Sequence, residues 1–130
     1  MNNTTHRREY RMYDFARPEP FTAGQINAIR TIHRRFAEQA SILLSEELAA
    51  EILIQVSGID QLPFEEFVRM TDTRSFCAEI EPTPLPGQFS LMLEPAIAYA
   101  LAARALGGAV GIRVPDRHLS GIELAVLREI

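Results

Sequence analysis

The sequence predicts a mixed α/β domain: a long N-terminal helix, short strands that include a hairpin, and two further helices. Three observations carry this. Apolar residues recur at helical spacing from Ile26 to Leu44. β-branched and aromatic runs bounded by Pro and Gly follow. An alanine-rich run and a last amphipathic run close the chain.

Residues 1–20 read as an extended basic arm, because Pro18 and Pro20 hold the residues before them away from helix. Thr22 and Gln25 have capping-box spacing, with Phe21 and Ile26 as the flanking staple pair. The helix they open reaches about Leu48 and turns Ile26, Ile29, His33, Phe36, Ala37, Ala40, Leu43 and Leu44 to one side. "EILIQVSGIDQL" (51–62) reads as a strand, and Pro63 as the first residue of a short helix with Glu65 and Glu66 in its first turn. "RSFCAEIE" and "QFSLMLE" read as strands joined by the breaker-rich "PTPLPG", an antiparallel hairpin. Glu94 and Pro95 open the alanine-rich helix, and Gly107 suits the position just past its end. Ser120 and Glu123 repeat the capping-box spacing, with Leu119 and Leu124 as the staple. The pattern is still running at Ile130, which suggests a piece of a longer protein.

Composition narrows the class. At 130 residues and 47% apolar content, the chain suits one folded domain rather than a disordered tail. No apolar run approaches the roughly 18 residues of a membrane span, and "MNNTTHRREY" lacks the apolar core of a secretory signal. A cytoplasmic location is the default, with no direct membrane insertion. The one cysteine, Cys77, excludes an internal disulfide and reads as a small buried strand residue. Residues 1–35 carry a net charge of +4 and the remainder −8, all of the basic residues being Arg. The arm could meet an anionic partner, yet it holds no nucleic-acid motif, and no nucleic acid is expected as a partner.

"LGGAVG" (106–111) poses the sharpest question. A phosphate cradle needs a strand before its glycines and a Lys after them; here a helix precedes, and Ile112 and Arg113 follow. One Gly is accounted for by the helix cap, but a cap does not by itself require Gly108 or Gly111. Glycine lets another surface approach closely, and Leu106, Val110 and Ile112 add apolar contact, so the residues leave a connector and a docking loop both open. His6, His33 and His118 have no metal-ligand spacing, and His33 reads as a packed core residue. Adjacent acids on a helix do not face one another, so Glu46 beside Glu47 and Glu65 beside Glu66 are surface charges. No catalytic constellation emerges, and neither a cofactor nor enzymatic activity is expected.

Five segments in order resemble the FliM family of flagellar motor switch proteins. "YDFARPEPF" is similar to the segment leading into that family's middle domain, and "IHRRFAEQ" to its first helix. "GIDQLPFEEFVR", "LEPAIAYALAARALGG" and "LSGIELAVLREI" resemble its next strand and short helix, its Gly-Gly-ended helix and the helix beyond. The resemblance implies the first part of a CheC/FliM-like pseudo-two-fold α/β/α unit over residues 21–130, truncated at its C-terminus. It implies a non-enzymatic part of the cytoplasmic switch ring, peripheral on the inner membrane at the flagellar basal body, relaying the chemotaxis signal into rotation direction. FliG would dock on Leu106, Gly107, Gly108, Ala109, Val110, Gly111 and Ile112, neighbouring copies would pack alongside, and FliN would join only through a C-terminal domain outside this chain. The third glycine, Gly111, falls one residue later than in the family's Gly-Gly-x-Gly loop.

Nothing in residues 1–12 matches the family's peptide for phosphorylated CheY. The alternative within the wider family is a CheC-type phosphatase of phosphorylated CheY, with the pattern D/S-x-x-x-E-x-x-N on one helix. Aligned on "LSGIELAVLREI", Glu129 takes the Glu position and Ala125 the D/S position.

Overall fold

The computed structural model describes residues 21–109 and 113–130. The elements run α1 (Ala23–Glu47), α2 (Phe64–Met70), β1 (Phe76–Ile80), β2 (Phe89–Leu93), α3 (Pro95–Ala105) and α4 (Gly121–Glu129). Both expected capping boxes form: Thr22 with Gln25, and Ser120 with Glu123, each exchange bonding side chain to backbone in both directions. Pro63 is the residue before α2 rather than its first residue, with ψ 143° keeping it extended.

The hairpin is the expected one. β1 and β2 pair antiparallel with Phe76 opposite Leu93, Ala78 opposite Leu91 and Ile80 opposite Phe89. Side chains alternate across a strand, so these six share the face that meets the helices, and Cys77, Glu79, Ser90 and Met92 share the other. Cys77 is therefore exposed, not buried as expected. Phe76 packs with Ala98 and Ala102 of α3 and Leu127 of α4, and Ala78, Leu93, Leu101, Leu119 and Leu124 close around them. Ala98 and Ala102 are wholly buried; with only a methyl each, they let α3 sit close to its neighbours.

Residues 51–62 depart from the expected strand. They alternate as a strand would, with Ile52, Ile54 and Val56 half-buried and Leu53 and Gln55 exposed. Yet the sheet of the described residues has two strands, and this segment is in neither. Its partner is α1. The Ile52 N–H donates to Ser45 Oγ at 3.0 Å, and the Ile54 N–H to Ser41 Oγ at 2.8 Å. Four helical residues rise about 6 Å and two extended residues about 6.6 Å, so serines four apart meet N–H groups two apart. The segment runs back antiparallel to α1 as far as Gln61, whose side chain bonds both the N–H and the carbonyl of Phe21.

That arrangement covers only part of α1. Ala37 is buried, but His33 is exposed, its Nδ1 lying 2.9 Å from the Ile29 carbonyl, and it is not the core residue expected. Ile32, Phe36 and Leu43 make a stripe on one side, each 59% exposed or more. Leu53, Phe64 and Met70 are exposed by three quarters or more. Burial of one such side chain is worth about 1.5–3 kcal/mol, so this surface favours association. Sedimentation of the 130-residue chain is expected to show mass rising with concentration, and Phe36→Asp with Leu43→Asp to diminish it. A single monomeric species throughout would contradict this reading.

Candidate functional site

The glycine loop leaves α3 through a closed cap. Leu106 is the C-cap, and Gly107 takes φ +84°. The Gly107 N–H donates to the Arg104 carbonyl at 3.0 Å, and the Gly108 N–H to the Ala103 carbonyl at 2.8 Å. These two bonds are the Schellman pair, which satisfies carbonyls the helix leaves open. Gly108 is as necessary as Gly107. A Cβ on it would stand 2.8 Å from Ala103 O and 3.4 Å from Ala103 C, both backbone atoms. The sequence reading that a cap does not need Gly108 is thus corrected: the second glycine lies directly over the carbonyl it bonds. Leu106 is 56% exposed and Ala109 is exposed. Val110, Gly111 and Ile112 lie outside the described residues, as does the basic arm.

α1 ends in the same motif. Its C-cap is Leu48, the Ala49 N–H donates to Glu46 O, and the Ala50 N–H to Ser45 O. The residue beyond the cap is Ala49, at φ +44°, where glycine is usual. α1 has no basic residue in its last turn. Arg104 of α3 supplies one. Its Nε donates to Leu48 O at 2.7 Å, its Nη2 to Ala49 O, and its Nη1 to Gly108 O at 3.4 Å. One planar guanidinium thus binds carbonyls from both helix ends. Sequence reading missed this contact, because Arg104 looks like an ordinary cation at the end of its own helix.

The segment returning from the loop is held as firmly. Tyr99 of α3 donates its hydroxyl to Arg117 O at 2.7 Å, and the Arg117 guanidinium lies 5.3 Å from the Tyr99 ring centroid. Arg117 forks onto Glu123 at 2.8 and 2.9 Å and also bonds His118 O. Glu123 accepts from the Ser120 N–H at 2.6 Å. The Arg117 hydrogen bonds, with the Ser120 N–H adding to them, hold the Glu123 carboxyl down at about 2. Arg74 does the same for Asp72, also to about 2, and reaches Asp116 at 2.9 Å, tying the start of the hairpin to the returning segment.

Among the described residues no cluster of His, Cys, Asp and Glu could hold a metal ion, and none of their helices is long and apolar enough to cross a membrane. Glu129 stands exposed on the last turn of α4. What the described residues offer is a short, side-chain-poor stretch, Leu106 to Ala109, leaving a closed helix cap.

The profile of the flagellar motor switch protein FliM matches residues 22–130. The chain belongs to the FliM family. It is 32% identical over 123 residues to FliM of Treponema pallidum, covering 95% of this chain and 36% of that protein. To FliM of Bacillus subtilis it is 33% identical over 105 residues, covering 81% and 31%. It thus spans about a third of the length of the curated FliM relatives it matches. Its fold is similar to a chain of the crystal structure of the FliG–FliM complex from H. pylori, with TM-score 0.75, 26% identity, and coverage of 84% of this chain and 60% of that one. A chain of the H. pylori FliM–SpeE complex is similar at TM-score 0.70 and 25% identity, over 84% and 56%. The long helix, hairpin and further helices of this chain are the expected CheC/FliM-like topology.

Two outcomes follow from the geometry. Gly108→Ala is expected to destabilise by about 1–3 kcal/mol through its backbone clash, and Gly107→Ala by about 1–2 kcal/mol through its positive φ. Gly121→Ala, in open space at the first residue of α4, should stabilise by about 0.4–1 kcal/mol by stiffening the unfolded chain. Denaturant titration ranks the three, and equal effects would contradict the cap. For pH, the folded Glu123 carboxyl titrates below its ordinary 4.5. Its contribution is therefore complete above the ordinary value and lost as pH falls from there toward 2. Glu123→Gln should flatten the acid limb of the stability profile in that window, and an unchanged limb would remove Arg117 and Glu123 from the account.

Proposed function

We propose that this chain is a structural part of the flagellar motor switch, docking FliG on the loop after α3 and carrying no chemistry of its own. The observation that carries the reading is the similarity to a chain of the H. pylori FliG–FliM complex across 84% of this chain. The loop geometry agrees with it. Leu106 and Ala109 stand exposed beside the double-glycine cap, which fixes the start of the loop, and Arg117 holds the segment that follows it. A surface held in place before binding loses little ordering entropy when a partner arrives. The docking surface comprises Leu106, Gly107, Gly108 and Ala109 and extends along the loop through Val110, Gly111 and Ile112.

Neighbouring copies pack through the apolar surface that α1 and α2 expose, forming a ring, and FliN joins through a part of the protein outside this chain. The assembly sits in the cytoplasm against the inner membrane at the flagellar basal body and passes the chemotaxis signal to the direction of rotation. No observation favours a phosphatase. Ala125 occupies the place where that pattern requires an acid or a serine.

Because both glycines serve the cap, they are poor probes of docking. Ala109→Trp and Leu106→Glu change the exposed tip and leave the cap bonds intact. Folded variants are expected to lose capture of FliG from the same organism. Retained capture by both would take the loop out of the interface.

A further inference from the structure

α1 and the glycine loop are far apart in sequence, yet one side chain joins them. The guanidinium of Arg104 lies between two helix C-termini. On one side are Leu48 O and Ala49 O, the open carbonyls beyond α1; on the other is Gly108 O, in the loop itself. Each helix end carries roughly half a negative charge, and α1 adds Glu46 and Glu47 in its last turn. Without a cation these ends would repel. With one, the place of α1's end dictates where the guanidinium sits, and the guanidinium dictates where the Gly108 peptide sits. Gly108 has little slack on its other side, since its N–H is bound to Ala103 O and a Cβ on it would stand 2.8 Å from that same carbonyl oxygen. α1's end is itself held in a conformation costly for its residue, Ala49 at φ +44°. A displacement of α1 therefore has two exits: break the fork, or carry the loop along.

We propose that Arg104 is a positioning residue that couples the C-terminal end of α1 to the loop after α3, so that the orientation of Gly108 and Ala109 follows that of α1. The consequence for FliG rests on the docking reading above: whatever packs against α1's exposed stripe of Ile32, Phe36 and Leu43 alters FliG affinity through Arg104.

The test places a nitroxide on Ala109→Cys in a Cys77→Ser background of the full chain and reads its mobility. Arg104→Gln should free the label, while Leu127→Ala, a destabilising core change away from the fork, should not. Arg104→Lys, which keeps the charge but cannot fork onto several carbonyls, should fall between, and it carries the test if Arg104→Gln does not fold. Ala49→Val, which displaces α1's end without touching the loop, should shift the label in the presence of Arg104 and leave it unmoved in the R104Q background. Unlabelled R104Q should bind FliG about tenfold more weakly. A label that ignores Arg104→Gln, or responds equally to Leu127→Ala, overturns the coupling whatever FliG does. A label that responds as stated, while FliG binding ignores both R104Q and Ala109→Trp, upholds the coupling and overturns the docking reading.

Discussion

The architecture hinges on two helix C-termini that meet over one cation. α1 and α3 both end in Schellman caps, and both caps direct their last carbonyls toward Arg104. Unpaired carbonyls at a buried helix end are costly, and Leu48 is buried to 5% exposure. Arg suits the place because its planar fork presents five donors in fixed directions. Lys would bring the charge without the reach. The Gly108 carbonyl thus shares its cation with the end of α1 as well as with the helix it follows.

Two packed units meet at that junction. In one, Phe76 of the hairpin and Leu127 of α4 close over the two small alanines of α3. In the other, α1 lies along the extended residues 51–62, held at Ser41, Ser45 and Gln61. The second unit buries little apolar surface and relies on hydrogen bonds from serine hydroxyls to backbone. Such bonds contribute about 0.5–1.5 kcal/mol each, so this layer is the weaker of the two, and its stripe of Ile32, Phe36 and Leu43 remains exposed. A weakly held layer joined by a rigid contact to the start of the loop after α3 has the form of a relay: the soft part can move, and the junction conveys the movement.

What was legible in the sequence was local. Thr22 with Gln25, Ser120 with Glu123, Pro95 and Gly107 act within one helical turn, so their spacing is enough to read them. The hairpin was legible for the same reason, its strands being adjacent in the chain. Residues set by distant neighbours were not. His33 lies on the apolar side of α1 by periodicity, yet nothing covers it among the described residues. Cys77 is small and sits in a strand, but the register turns it outward; its alternation with buried Phe76 carried that signal. Ser41 and Ser45, four apart on one helix face, were the available hint that residues 51–62 would bind a helix rather than a sheet. For the loop, position and the first glycine were readable; the need for Gly108 and the reach of Arg104 required coordinates.

One guanidinium binds at both helix ends at once. Amide hydrogen exchange on the Arg104→Met variant tests it most directly, read at Ala50, whose N–H closes the α1 cap, and at Gly108, whose N–H closes the α3 cap. Both amides are expected to lose protection together while Leu124 in α4 keeps its own. Loss at Gly108 alone, or protection at both equal to that of the unsubstituted chain, would contradict it.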